Sequence, residues 1–289
     1  MKTAVITTGG LGTRLLTFTK GNPKTMLPLY EKSNDKNPDP LLRPLFEIIF
    51  EKLYDLGFRK FCFIIGTKTK QSILNHMKPD QNFIRLLKKR GTDTDIRFVK
   101  NLNRIYYKIN NCKIFWISQP TPMGFGHALI SASKFVGNDT FLLHAGDTYF
   151  PSYDFLPKFI LEHKKNLRTS GTILLQKRKN LDGFGIAQVR KQNNKNVVFN
   201  VEEKPKKPLS NWAILSIYIF SSEIFEALKK TKKDHNNEIQ VTDAIETLIK
   251  WNKQILGFDY KNEKWFDVGT PHNYFAAISY SYRNSIKRA

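Results

Sequence analysis

The sequence predicts an α/β fold: a central mixed, mostly parallel sheet with helices on both faces. Three observations carry that expectation. Apolar runs rich in β-branched and aromatic residues (TAVITT from Thr3, FCFIIG from Phe61, KIFWIS from Lys113, TFLLHAGD from Thr140) alternate with stretches of helical spacing. The first run ends in Gly9 and Gly10, the pattern of a buried strand that delivers a glycine turn at its carboxyl end. Beyond Pro151 short apolar runs crowd together, as in additional strands of the same sheet system, some of them antiparallel.

The elements follow in order. After Pro44, Leu45, Phe46, Ile48, Ile49, Leu53 and Leu56 recur at helical spacing and stop at Gly57, so a helix follows the first strand. A second helix is expected from about Gly126 to Val136. In the later part TILLQ, FGIAQV, NVVFNVEE and WAILSIYIF read as strands, and helical patterns return at Ser222 to Thr231, Asp243 to Trp251 and Pro271 to Ile286. Two stretches read as surface insertions: 31–43, rich in Asn, Asp and Pro, and the basic stretch 85–113, where nine Lys and Arg stand against Asp93 and Asp95.

A chain of 289 residues that is 40% hydrophobic can bury a substantial core, and one domain is expected over its whole length. The net charge of +22, from 47 Lys+Arg against 25 Asp+Glu, biases the surroundings toward anions. Nucleotides, sugar phosphates, nucleic acid and acidic lipid all fit that charge. Cys62 and Cys112 sit in apolar runs without CxxC or Cys/His spacing, so they are expected as buried thiols in a reducing compartment. No signal peptide opens the chain and no run approaches the roughly 18 apolar residues of a membrane span, so a soluble cytoplasmic protein is expected.

The first chemistry-bearing stretch is Thr7-Thr8-Gly9-Gly10-Leu11-Gly12-Thr13-Arg14. It lies where ligands enter an open α/β sheet, outside the carboxyl end of a strand. Its glycines let backbone N–H groups close around phosphate oxygens, and Thr13 and Arg14 add a hydroxyl and a bidentate cation. The dinucleotide fingerprint fails, because its third glycine position is Leu15, and there is no P-loop GK[ST]. Alone, the loop also reads as a plain strand-to-helix turn.

It has company. GGLGTR is followed ten residues later by Lys24 in NPKTMLPL, then by Gln119 with GFGHA, HAGD ending in Asp147, FGIA, VEEKP, EIQVTDAI and FDVGT. In this order, over nearly the whole chain, the motifs resemble those of the sugar nucleotidyltransferases and, within them, the bacterial and archaeal UTP–glucose-1-phosphate uridylyltransferases. The resemblance implies nucleotidyl transfer to a sugar 1-phosphate with Mg2+ as cofactor, in a homo-oligomer, dimer or tetramer, with a nucleotide-binding half at about 1–150 and a sugar-phosphate-binding half at about 151–289.

Each motif has a physical job in that reading. Lys24 and Lys204 hold the nucleotide α-phosphate and the sugar phosphate in line, and Arg14 neutralises the departing pyrophosphate. Gly10, Leu11, Gly12 and Thr13 cradle the nucleotide. The amide of Gln119, a donor and an acceptor together, pairs with the uracil imide edge, and Gly124 and Gly126 admit base and ribose against the backbone. Gly185 and Glu203 line the sugar pocket. Asp147 and Asp267 offer magnesium the hard oxygen ligands it takes. A sugar phosphate is already an oxyanion at pH 7, so no general base is needed, and His127 and His144 are expected to pack or orient. The sequence departs from the family pattern at Thr8 or Gly9, at Thr25, and at Ser216, where a glycine is frequent and the sugar pocket takes its shape. A thymidylyltransferase using dTTP, a UTP enzyme for another sugar such as N-acetylglucosamine, a catalytically silent regulator, and a nucleic-acid-binding protein using Phe98, Tyr106 and Tyr107 stay open as alternatives. No specific nucleic-acid partner and no membrane are expected.

Overall fold

A computed structural model describes all residues except 11, 34–38, 122, 167, 235, 262 and 287–289, and for residue 16 the backbone only. The chain starts with β1 (Thr3–Thr7), a hairpin of β2 (Pro28–Glu31) and β3 (Leu41–Pro44), and α1 (Leu45–Asp55), and continues with β4 (Lys60–Gly66), α2 (Lys70–Met77), α3 (Gln81–Arg90) and α4 (Asp93–Asn110). Then come β5 (Lys113–Gln119), α5 (Phe125–Ser131), α6 (Ser133–Val136), β6 (Phe141–Ala145), the short β7 (Thr148–Tyr149) and α7 (Leu156–Lys164). The remainder is β8 (Thr169–Lys177), β9 (Ile186–Gln192), β10 (Lys195–Glu202), β11 (Trp212–Phe220), α8 (Glu223–Lys230), α9 (Val241–Lys250), β12 (Gln254–Asp259), β13 (Phe266–Asp267) and α10 (Pro271–Ser285).

One nine-stranded sheet, in the order β5-β4-β1-β6-β11-β8-β12-β10-β9, runs through both halves of the chain. The pairings make every strand point the same way except β10 and β11, so the sheet is mixed and mostly parallel. Alternation along the strands builds two cores. Ala4, Ile6, Phe61, Phe63, Ile65 and Leu142 point to the face covered by α1, α2, α3, α4, α7 and α10. Val5, Cys62, Ile64, Phe141 and Leu143 point to the face covered by α5, α6, α8 and α9. Strands buried on both faces are nearly continuous apolar runs, which is why the sequence marks them plainly.

The parallel register sets the site. Thr7, the last residue of β1, pairs with Ile64 and with Ala145, the last of β6, while β4 and β5 run on together to Gly66 and Gln119, so all four strands end along one edge. On β11 the register against β8 slips between Ile214 and Tyr218. Such a bulge re-aims side chains, and Ile214, Ser216 and Tyr218 all reach the cleft described below.

Two expectations need correction. The basic stretch 85–113 is no surface insertion: Ile84, Leu87, Val99, Ile105 and Tyr106 from α3 and α4 are buried in the first core. Its cations meet acids from elsewhere, Lys108 bonding Asp55 at 2.7 Å and Glu51 at 3.1 Å, Arg104 bonding Glu51 at 3.3 Å, and Arg97 bonding Asp39 at 3.3 Å. The flanks of 31–43 form the β2–β3 hairpin, held to α10 by Tyr30 N donating to Ser281 Oγ at 3.1 Å and Tyr274 Oη donating to the Pro28 carbonyl at 2.9 Å. The expected helix over Gly126 to Val136 is α5 and α6, separated at Ala132. No helix among the described residues is long and apolar enough to cross a membrane.

Two consequences are measurable. Because α4 is core rather than insertion, Ile105→Ala should lower the unfolding free energy by about 2–5 kcal/mol in urea titration. Arg85→Ala, on an exposed face, should change it by about 0.5 kcal/mol or less. Burial pushes the imidazoles of His144 and His163 from 6.5 down to about 4. The unfolded chain therefore binds protons that these two groups refuse in the fold, and stability should fall as pH drops from about 6.5 toward 4. A melting temperature flat across that window would contradict this.

Candidate active site

A cleft of about 540 Å³ opens over that edge of the sheet and takes its walls from both halves of the chain. Its floor is made of strand ends that bond one another. Thr8 N donates to the Ile64 carbonyl at 2.7 Å, Thr8 Oγ1 donates to the same oxygen at 3.1 Å, and Gly146 N donates to the Thr7 carbonyl at 2.8 Å. A Cβ on Gly146 would lie 2.6 Å from that carbonyl oxygen, so only glycine lets β6 close against β1 here.

At one end the charged residues converge. Lys24 is ion-paired directly with Asp147, and its stem lies against Gly10, whose Cβ would be 3.4 Å from Lys24 Cε. Asp267 arrives from β13, which pairs with β7 so that Asp267 faces Thr148, next to Asp147. Its Oδ1 accepts from Gly269 N at 2.8 Å, and an Nη of Arg14 lies 3.2 Å from the Cβ position of Gly269. Burial pushes the Lys24 ammonium down, but Asp147, with Asp267 behind it, more than reverses this, and the net shift is upward. Burial pushes Asp147 up and Lys24 outweighs it, holding that carboxyl below the usual range. Asp267 is left above the usual carboxylate range by burial and then by the neighbouring charge of Asp147.

The glycine loop sits over this cluster. Gly12 has φ +62°, a left-handed conformation that suits glycine, and its carbonyl accepts from Thr19 Oγ1 at 3.0 Å. Gly10, Gly12, Thr13 and Arg14 line the cleft. Leu11 lies outside the described residues.

The second end is built around Gln119, the last residue of β5, buried to 6% exposure. Its Nε2 lies 3.2 Å from Nδ1 of His127. Gly124 lines the cleft with φ +94°, and the missing Cβ lets it press on the Ile239 carbonyl, which a Cβ would meet at 2.6 Å. Gly126 does not reach the cleft. It donates from its N–H to the same carbonyl at 2.8 Å, and a Cβ there would meet Leu228 at 2.8 Å, so this glycine serves the packing of α5 on α8 and the lead-in to α9.

At the third end Gly185, Glu203 and Lys204 meet. A Cβ on Gly185 would lie 3.2 Å from Glu203 Oε2 and 2.9 Å from Thr242 Oγ1, so the glycine leaves room beside the carboxylate. Lys204 binds Glu203 Oε1 at 2.9 Å from a left-handed backbone, φ +44°, a strained state for a residue with a side chain. Ser216 and Tyr218 complete the wall.

All the remaining expected residues thus line one cleft. His144 has no part in it: it is fully buried, with Nε2 2.8 Å from Tyr153 Oη. Several lining residues had no place in the reading of the sequence. Phe184 and Trp265 meet edge to face at 5.7 Å beside Gly185, and Trp265 is fixed by its indole N–H donating to Gln176 Oε1 at 2.9 Å. Their only signal was position, next to Gly185 in one motif and just before FDVGT. Asp243, one residue beyond Thr242 on α9, is pushed up to about 6 by burial and then by Glu203 and Glu246.

The donor set fits a divalent cation. Among the described residues no cluster of three or more His, Cys, Asp or Glu could hold a metal, but magnesium commonly takes only one or two protein carboxylates and leaves the rest to phosphate and water. The charge of Asp147 opposes ionisation of Asp267, a repulsion that a cation between them relieves, and a lysine ammonium already pairs with Asp147.

Comparison with known proteins agrees with this architecture. A family model described as "Nucleotidyl transferase" matches residues 3–283. The UTP–glucose-1-phosphate uridylyltransferase of Staphylococcus haemolyticus is 30% identical over 273 residues, 93% of this chain and 88% of that protein. Crystal structures of UDP-glucose pyrophosphorylase superpose with TM-scores of 0.81 in complex with UDP-glucose and 0.84 without ligand, each at 25% identity over 98% of this chain and 99% of that one. With the motifs assembled in one cleft and the match running nearly end to end, the chain belongs to the nucleotidyl transferase family and is a nucleotidyltransferase.

Proposed function

We propose that this enzyme transfers a uridylyl group from UTP to a sugar 1-phosphate, glucose 1-phosphate first, giving UDP-glucose and pyrophosphate. The observation that carries the reading is one continuous cleft joining a buried amide at Gln119, the Arg14–Lys24–Asp147–Asp267 cluster, and the Gly185–Glu203–Lys204 pocket. The names of the relatives support the same pair of substrates.

In this reading an oxygen of the sugar phosphate attacks the α-phosphorus, and the bond from that phosphorus to the oxygen bridging to the β-phosphorus breaks. The electron pair leaves with pyrophosphate. No proton has to be removed from the attacking oxygen, so positioning and charge neutralisation supply the catalysis. Lys24 and Lys204 keep the two phosphates in line, and Arg14 and the loop N–H groups from Gly10 to Thr13, Leu11 included, receive the departing pyrophosphate. Mg2+, held by Asp147 and Asp267, would supply a divalent charge between the phosphates when bound. Glu203 accepts hydrogen bonds from sugar hydroxyls in the space that Gly185 leaves. The cations of α4 are engaged by Glu51 and Asp55, which weighs against a nucleic-acid role for that stretch. The two unpaired cysteines fit a cytoplasmic setting, and homo-oligomeric assembly belongs to the same reading.

The test is pyrophosphate release over UTP, dTTP, ATP, GTP and CTP against several sugar 1-phosphates. UTP should exceed the purine nucleotides at least about tenfold, since a mispaired buried amide costs roughly 1–3 kcal/mol. A purine preference would end this reading, and dTTP ahead of UTP would turn it into a thymidylyl transfer. Asp267→Asn should lower kcat on the order of 10²-fold, with a raised Mg2+ requirement. Lys24→Met takes away the ammonium paired with Asp147 and leaves the two carboxylates with less positive charge beside them, so its melting temperature should rise with added Mg2+ by more than that of the unaltered protein. An equal response in both would show that lysine and metal do not share the carboxylates.

A further inference from the structure

Strand β8 is buried from Thr169 to Gln176, and its apolar run TILL ends in an amide that is only 5% exposed. A primary amide shut away from water needs partners for two donor hydrogens and two acceptor lone pairs. Gln176 has all four. Its Nε2 donates to the carbonyls of Lys261 and Glu263, each at 2.8 Å. Its Oε1 accepts from the Trp265 indole N–H at 2.9 Å and from an Nη of Arg178 at 3.1 Å. A backbone carbonyl only accepts, and an indole N–H and a guanidinium only donate. One setting of the amide therefore satisfies every partner, and the reverse setting satisfies none.

Lys261, Glu263 and Trp265 lie between β12 and β13, so the locked amide ties that connection to the end of β8. Gln176 does not line the cleft, but Trp265 does. We propose that Gln176 is a positioning residue for the sugar phosphate, acting through Trp265, whose ring it seats in the cleft wall beside Gly185. The inference rests on the uridylyl-transfer reading above.

A wall made of aromatic rings on connecting segments places a substrate only as well as the rings are themselves placed. Arg178 joins the Trp265 ring to that of Phe184, its guanidinium carbon 5.4 Å from the first ring centre and 5.2 Å from the second. Such a wall gives the C–H groups of a sugar ring an apolar surface, while Glu203 takes hydroxyls. Asp267, close behind Trp265 in the chain, has supports of its own in the β7 pairing and the Gly269 N–H. The strands that carry the glycine loop and Gln119, β1 and β5, lie beyond β11 and β6 in the sheet. Losing the Gln176 amide should therefore be felt at the sugar phosphate before the nucleotide or the charged cluster.

The experiment measures kcat and the KM for each substrate at saturation with the other, UTP and glucose 1-phosphate. The proteins are the unaltered enzyme, Gln176→Leu, Gln176→Asn, Trp265→Ala, and Gln176→Leu combined with Trp265→Ala, with a melting temperature for each. Trp265→Ala should raise the KM for glucose 1-phosphate at least about tenfold, and Gln176→Leu at least about fivefold. In Gln176→Leu, kcat and the KM for UTP should stay within about threefold of their starting values. With the ring gone the amide has nothing left to place, so the combined variant should match Trp265→Ala within about twofold. Gln176→Asn draws the amide back by one methylene without setting an apolar group against polar partners. It should move the same KM in the same direction, and it carries the test if Gln176→Leu does not fold. A KM for glucose 1-phosphate that neither Gln176 variant changes overturns the proposal. So does a rise shared with UTP or matched by a fall in kcat, a KM that Trp265→Ala leaves unmoved, or losses that multiply in the combined variant. No turnover of any sugar 1-phosphate by the unaltered enzyme ends the uridylyl-transfer reading itself, and this inference with it.

Discussion

Four parallel strands end along one edge, and their ends are bonded to one another through the backbone. Thr8 reaches Ile64, Gly146 reaches Thr7, and Gly66 stands beside Gln119. This closed edge leaves no room for a side chain at Gly146, where a Cβ would lie 2.6 Å from the Thr7 carbonyl oxygen. Much of the cleft hangs from that edge. Gln119 is the last residue of β5, the glycine loop leaves β1, and Asp147 follows β6 by two residues. Loops placed by a rigid sheet can hold polar groups against ligand without moving.

The charged cluster shows how such a site balances its own charges. Two carboxylates brought together in a partly desolvated cleft repel each other, and Asp267 records that in its raised affinity for a proton. Lys24 answers with a direct ion pair to Asp147. The pairing keeps both partners charged despite burial, so the groups that chemistry needs in ionised form are already ionised.

The parts of this molecule that were legible in the sequence share a physical origin. Strands such as TAVITT and FCFII are buried on both faces, so their apolar character is continuous, and motifs at their ends announce the cleft. The α3–α4 pair was misread because its charge was counted before its spacing. Ile84 and Leu87, and then Val99, Ile105 and Tyr106, form apolar stripes under the lysines and arginines, and the acids that answer Arg104 and Lys108 lie about fifty residues earlier, on α1. Gly126 was assigned to a ligand because it shares a motif with Gly124, although one residue of helix turns it from the cleft to α8. Phe184 and Trp265 are joined across the fold, through contacts that no local pattern encodes.

The lead-in to α9 ties the two ends of the cleft together. Gly124 and Gly126 are pressed against the Ile239 carbonyl on the Gln119 side, and Ile239 N donates back to the Met123 carbonyl at 2.9 Å. Three residues further along the same backbone, Thr242 stands against Gly185 in the pocket of Glu203. The segment works as a ruler, held to one side of the cleft by backbone contacts and reaching the other through the Thr242 hydroxyl. Reshaping the Glu203 pocket at Thr242 therefore also shifts the wall that Gln119 faces, and the two recognition ends of this cleft cannot be retuned independently.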